Sequence, residues 1–174
     1  MNIAGSIIPP SANTLGSLAM SFLQNLTEVI PAADLLLGGI VLVVIMLIHA
    51  LGVRWITDAF TRHSKRALAT QEIWRADVLM SSMVLLLLSL HLFEIVVWSM
   101  TLVYSGLVTD WRAAGFFAGN TYTTIGYGSD ILPAGWKMLA PIIAISGLFT
   151  FGWSGSVLVN LIGRVQQIKD TAAA

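Results

Sequence analysis

A run of threonines and alternating glycines carries the most distinctive chemistry of this 174-residue chain: Thr123-Thr124-Ile125-Gly126-Tyr127-Gly128. A cation stripped of water needs oxygen ligands on all sides. Successive backbone carbonyls supply them when every residue turns its C=O group inward. Such a loop needs left-handed backbone at alternate positions, which Gly126 and Gly128 adopt without a Cβ clash. The segment predicts a cation path lined by these carbonyls and the Thr124 hydroxyl, with the Ile125 and Tyr127 side chains turned away to buttress the loop.

His91 and Glu94 form a second group, because a spacing of three residues places both on one face of a helix. They interrupt an apolar stretch, where ionisable side chains are costly and need a partner. Helical rise puts Glu94 about 24 Å from Val78, at the depth expected for the glycine loop. Three interpretations stay open. They are a hydrogen bond from Glu94 to His91 or to a polar neighbour such as Asn120, Thr121 or Tyr122, a pH-sensitive brace behind the loop, and a metal site.

The third candidate residue, His49, lies in the first apolar stretch. Its position near the cytoplasmic end of that stretch predicts a hydrogen-bonded side chain or one that reaches the lipid headgroups. We expect His49 to be too far in depth from His91 and Glu94 to serve as a third metal ligand.

The composition indicates that lipid surrounds these groups. Apolar residues make up 56% of the chain and charged residues 10%, against about 25% in soluble domains. The formal net charge is zero, which excludes a nucleic-acid binder, since that class needs a basic face. The low charge and high apolar content also exclude a disordered chain. The absence of cysteine excludes disulfides and thiolate metal sites.

Three apolar stretches, 35–53, 78–104 and 138–163, are long enough to cross a bilayer, which takes about 20 residues. All three are predicted to be helices. Five Lys or Arg residues lie in 54–77, so this linker is placed in the cytoplasm and the N-terminus outside. Segment 111–122 follows a candidate N-cap, Asp110, and is too short to cross. It is therefore predicted to be a re-entrant helix whose negative dipole end points toward the cation path.

The predicted organisation has five parts. They are an amphipathic outer helix within 1–33, a peripheral transmembrane helix at 34–53, a basic linker at 54–77, a pore domain at 78–163 and a cytoplasmic tail at 164–174. Within the pore domain we assign an outer helix at 78–104, a pore helix at 111–122, a filter at 123–128 and an inner helix at 138–163. The predicted fold class is an all-α membrane protein.

Residues 78–163 resemble the pore domain of potassium channels. The resemblance rests on the filter sequence, which differs from the family's T-V-G-Y-G by Ile125, and on segment 145–152, in which Gly147 falls at the family's gating glycine. It implies a homotetramer, with K⁺ as the permeating ion held by the carbonyls of 124–127. Thr123, Gly128, Asn120 and Asp130 would support the filter.

Three features depart from the family pattern. The family's Asp after GYG is Ser129 here, with Asp130 one place later, and the pore-helix Glu of some bacterial members is Asn120. The chain also has an extra first span, which we expect at the lipid-facing periphery. The first two differences change the carboxylate positions on which bracing and acid-driven inactivation behind the filter depend in that family.

The function predicted from the sequence is passive, potassium-selective conduction across the plasma (cell inner) membrane. Gly147, His91 and Glu94 are the gating candidates. The alternatives are a poorly selective cation pore, a non-conducting channel-like scaffold, and an intramembrane enzyme or transporter built on the histidines. We expect no enzymatic activity and no nucleic-acid partner. The expected partners are further copies of the chain and the lipid bilayer, with anionic lipids at the basic linker.

Overall fold

The computed structural model describes residues 16–17, 20–21, 32–70, 73–128 and 131–173, and over these residues it contains helices and loops but no strand. Within residues 32–70, 73–128 and 131–173, four helices follow one another: α1 (Ala32–Thr70), α2 (Ile73–Tyr104), α3 (Trp111–Tyr122) and α4 (Leu139–Ala173). The predicted all-α class is confirmed to this extent. Helices α1, α2 and α4 each contain a segment long and apolar enough to cross a membrane. Residues 16–17 and 20–21 are helical, but most of the predicted N-terminal amphipathic helix lies outside the described residues.

Helix α1 continues well past Val53, where the sequence analysis ended the first span. The reason is a continuous buried stripe, in which Ile56 and Phe60 extend the apolar face by further helical turns. This stripe packs against Leu87 of α2 and Leu161 of α4. Arg54 remains exposed on the opposite face, so its charge does not end the helix.

Helices α1 and α2 run antiparallel and approach closely. A Cβ added to Gly52 would lie 2.7 Å from the Leu90 side chain, so only a glycine fits there without a shift of Leu90. One turn earlier on α1, His49 faces Glu94 of α2. This pairing follows from the antiparallel arrangement: His49 precedes Gly52 on α1, and its partner Glu94 follows Leu90 on α2.

In the part of the chain that the structure describes, two apolar clusters fill the interior, and polar side chains lie between them. One cluster includes Ile45, Trp98 and Ile143, and the other includes Val53, Leu87 and Leu161. The buried polar side chains that separate them, here called the polar layer, are His49, His91, Glu94, Tyr122, Thr150 and Ser154. All four helices contribute to the polar layer.

Helix α3 is short and capped at both ends. Asp110 accepts a hydrogen bond from the Ala113 backbone N–H at 2.9 Å, which is the geometry of an N-cap. At the other end, the Thr123 hydroxyl donates to the Gly119 carbonyl at 2.7 Å. Phe117 is buried against the first apolar cluster. These contacts fix where the helix stops and the glycine loop begins.

The first turn of α1 is tied to the first turn of α4. Asp34 is fully buried, and its Oδ2 accepts a hydrogen bond from the Met138 backbone N–H at 3.0 Å. Gly38 lies against Ile142, and a Cβ there would be 2.6 Å from its side chain. A carboxylate at a helix N-terminus satisfies unpaired N–H groups and complements the helix dipole. The N-terminal ends of α1 and α4 therefore lie at the same end of the bundle.

Candidate functional site

The loop after α3 has a left-handed backbone at alternate residues. The φ angles are +61° at Thr124, +80° at Gly126 and +94° at Gly128. The two glycines were predicted in this conformation, but Thr124 was not. A left-handed conformation of a non-glycine residue is unfavourable by about 1–2 kcal/mol. Contacts around Thr124 must therefore offset this conformational free energy.

Backbone N–H groups of the loop turn toward the end of α3. Ile125 and Gly126 both donate to the Asn120 carbonyl, at 2.8 and 3.2 Å, and Thr124 donates to the Thr121 carbonyl at 3.0 Å. Asn120 thus contacts the loop through its backbone, while its side-chain amide donates to the Phe116 carbonyl of its own helix. The backbone N–H groups of Thr124, Ile125 and Gly126 are consequently occupied by carbonyls of α3.

The side chains of the loop are exposed in the single chain, from Thr123 to Gly128. Ile125 is 57% exposed and Tyr127 70%, so the chain's described residues do not supply the expected packing around them. Asp130 lies outside the described residues, and its predicted role in supporting the loop stays a prediction.

Glu94 lies at the centre of the polar layer, with no exposed surface. One carboxylate oxygen is 2.8 Å from His49 Nδ1, and the other accepts a hydrogen bond from the Tyr122 hydroxyl. A buried carboxylate needs such partners, since an unpaired charge in an apolar interior is expensive. The expectation that Glu94 bonds a polar residue near Asn120 is met by Tyr122.

The expectation that His49 lies too far in depth is wrong. It was based on a first span ending at Val53, whereas α1 continues and runs antiparallel to α2. His49 is fully buried, bonds Glu94 and lies 3.3 Å from the Ser154 hydroxyl of α4. His49 therefore joins three helices rather than reaching the headgroups.

The hydroxyl of Tyr122, at the end of α3, makes the remaining contacts of the polar layer. Its hydroxyl is 2.9 Å from His91 Nδ1 and 2.6 Å from the Thr150 hydroxyl. The Thr150 hydroxyl is also within reach of the Ser146 carbonyl, at 3.0 Å. From the sequence, Tyr122 is predicted only as one possible partner for Glu94, because an aromatic residue in a short apolar helix gives no signal of such a central position.

His49, His91 and Glu94 are also the group that could hold a metal ion, with one donor atom from each lying within 4.8 Å of the others. Imidazole and carboxylate suit zinc. A divalent ion there would have to displace the His49–Glu94 and His91–Tyr122 hydrogen bonds. Because no fully buried side-chain polar atom among the described residues lacks a partner, the arrangement is complete as a hydrogen-bonded layer.

Gly147 of α4 is in direct contact with the end of α3. A Cβ at this position would overlap the Tyr122 carbonyl oxygen and come within 3.2 Å of its ring. Helix α4 is continuous through Gly147. The role of Gly147 in gating stays a prediction. The close contact with the Tyr122 carbonyl gives a separate, packing reason for a glycine at this position.

Comparison with known proteins gave one match. Residues 83–164, just under half of the chain, match the model of a family described as an ion channel. Neither a curated protein nor a solved structure matches. The matched residues include most of α2, all of α3, the glycine loop and most of α4. This match, together with the three helices of the described residues that are long and apolar enough to cross a membrane, supports an ion channel in a multi-pass membrane protein and suggests that the protein is not an enzyme.

Proposed function

We propose that the chain is the subunit of a homotetrameric, potassium-selective channel that conducts K⁺ passively through the 123–128 loops of four copies. The observation that carries the proposal is the left-handed backbone at Thr124, Gly126 and Gly128. With this alternation, and with the N–H groups of Thr124, Ile125 and Gly126 bound to α3, successive carbonyls would be free to face a common axis. Such carbonyl rings replace the hydration shell of K⁺ in selectivity filters.

The exposure of the loop supports assembly. Non-helical backbone at membrane depth is tolerated only when protein surrounds it or water lines it. In the single chain, every residue of 123–128 is exposed. One strand cannot surround an ion, and the number of four comes from the resemblance to potassium channels. Copies around one axis would cover Ile125 and Tyr127 and enclose the ion path.

The roles within the loop follow from this arrangement. The carbonyls of Thr124, Ile125, Gly126 and Tyr127 and the Thr124 hydroxyl would hold K⁺. Thr123 and Asn120 would support the filter through their hydrogen bonds at the end of α3. We assign Gly128 and Asp130 to filter support as well. The C-terminal end of α3 precedes the loop, so its dipole favours a cation there.

The proposed location is the plasma (cell inner) membrane, with the N-terminus outside and the C-terminus in the cytoplasm. The argument is the excess of Lys and Arg in 54–77 over the connection between α2 and α4. Anionic lipids are proposed to contact these basic residues. The proposed partners are therefore lipid and the other three copies.

Replacement of Gly126 by Ala tests the filter assignment. The added Cβ meets no atom within 4 Å, but φ of +80° makes any L-residue unfavourable by about 1–2 kcal/mol per subunit. Gly106→Ala is the matched control, because Gly106 has φ of +73° and equally open surroundings but lies outside the loop. Flux into liposomes is measured under K⁺ and under Na⁺ gradients, after size-exclusion chromatography has shown assembled protein.

We expect Gly126→Ala to lose the preference for K⁺ or to stop conducting while still assembling, and Gly106→Ala to remain selective. Selectivity like that of the wild type in Gly126→Ala would refute the filter assignment. Equal K⁺ and Na⁺ flux through the wild type would favour the poorly selective pore. No flux of either ion would favour the non-conducting scaffold.

A further inference from the structure

Helix α1 lies outside the region that matches the ion channel family, yet it reaches the filter through buried hydrogen bonds. His49 of α1 bonds one oxygen of Glu94 on α2, and the other oxygen of Glu94 accepts the Tyr122 hydroxyl of α3. Tyr122 is the last residue of α3, directly before Thr123. Only one carboxylate and one tyrosine ring thus separate α1 from the start of the filter.

Tyr122 is held at both ends. Its hydroxyl is bonded to Glu94 and lies 2.6 Å from the Thr150 hydroxyl, and its backbone carbonyl rests against Gly147. A shift of Tyr122 along the pore axis would therefore leave the Glu94 carboxylate short of a donor or drive the carbonyl into α4. Interiors packed in this way resist gradual deformation, so the position of Tyr122 sets the height at which the filter begins.

Helix α1 is itself anchored and can therefore act as a support. Asp34 bonds the Met138 N–H at one end, and Gly38 and Gly52 allow close contact with α4 and α2. His49 lies between these two glycines on α1. Because α1 is fixed against both α2 and α4, the hydrogen bond from His49 holds the Glu94 carboxylate in one position.

We propose that His49 is a positioning residue for ion selectivity, and that α1 serves as a brace which sets the geometry of the filter through Glu94 and Tyr122. This inference rests on the proposed function, because it assigns a specificity role within the same filter. It gives the first span a task in the channel, where the sequence analysis expected a peripheral helix.

The test measures reversal potentials in planar bilayers with K⁺ on one side and Na⁺ on the other. His49→Leu removes the donor to Glu94, and Tyr122→Phe removes the hydroxyl but keeps the ring. Each is expected to lower the K⁺/Na⁺ permeability ratio by up to about tenfold, the factor that corresponds to losing one hydrogen bond to a charged group from the K⁺-selective geometry. His49→Asn, which places an amide nitrogen near the position of Nδ1, is expected to restore most of the ratio.

Two controls separate this role from general damage. His63→Leu alters another histidine of α1, which bonds the Ala59 carbonyl of its own helix. Tyr104→Phe alters a tyrosine that is 76% exposed. Both are expected to keep the wild-type permeability ratio. The double variant His49→Leu/Tyr122→Phe should lose little more than either single variant, because both act through Glu94.

A wild-type permeability ratio in assembled His49→Leu channels would overturn the proposal, as would additive losses in the double variant. If His49→Leu does not assemble, Tyr122→Phe decides, and wild-type selectivity in that variant would overturn the proposal as well. An unselective wild type would instead refute the proposed function. The two failures are therefore distinguishable in one set of recordings.

Discussion

From the contact between Gly147 and Tyr122 we predict that Gly147→Ala lowers the melting temperature. The added Cβ would overlap the Tyr122 carbonyl oxygen, and backbone cannot move aside as a flexible side chain can. Overpacking of this kind costs about 1–3 kcal/mol per subunit. For a domain of this size, each kcal/mol lowers the melting temperature by about 2–4 °C, so we expect Gly147→Ala to melt several degrees below the wild type.

The assay is thermal unfolding of the purified protein in detergent, combined with K⁺ and Na⁺ flux in liposomes. Gly163→Ala is the matched control on α4, because a Cβ at Gly163 meets nothing within 4 Å. It should melt at or slightly above the wild-type temperature, since Ala is a better helix former than Gly by about 1 kcal/mol. Because the displaced carbonyl belongs to the residue before Thr123, Gly147→Ala should also lose K⁺ selectivity.

A hinge at Gly147 predicts a different outcome. In that case Gly147→Ala would keep the melting temperature and the selectivity of the wild type, and only the fraction of time spent open would change. That result would refute the packing argument and favour the gating role that the resemblance to potassium channels implies.

Two further predictions concern the ends of α1 and the polar layer. Asp34→Asn should lower the melting temperature, because the Met138 N–H loses a charged acceptor, whereas Asp58→Asn, at an exposed position of the same helix, should change it little. In the second, His91→Gln/Glu94→Gln should change the open probability measured in planar bilayers, because His91 and Glu94 both contact the hydroxyl of Tyr122, the residue directly before Thr123. An unchanged open probability in the double variant would leave the pair with a structural role alone.

The local sequence was enough to predict the elements around the glycine loop. Asp110 marked the start of α3, and the paired glycines indicated left-handed backbone. These features depend on short-range chemistry, because a cap and a positive φ are set by a few neighbouring residues. The left-handed conformation of Thr124 was not predicted, because threonine does not favour it and only the surrounding contacts impose it.

The polar layer could not be predicted in the same way, because it depends on how the helices pair. His49 and Glu94 are equally far along the chain from residues 71–72, which separate α1 from α2. An antiparallel pair of unbroken helices brings such residues together. The first span was predicted to end before Arg54, and for this reason the pairing of His49 on α1 with Glu94 on α2 was not predicted. Asp34 is the first residue of the segment assigned to the first span, and its bond to Met138 was not predicted because it joins residues far apart in the sequence.

The most direct test of the central claim is the reversal potential of the full wild-type chain in a planar bilayer, with K⁺ on one side and Na⁺ on the other. If carbonyls of the 123–128 loops select K⁺, the current reverses at a voltage far from zero, and the sign of that voltage is the one expected for K⁺ permeation. A current that reverses near zero would contradict potassium selectivity. The absence of any current from protein shown to be assembled in the bilayer would contradict conduction itself.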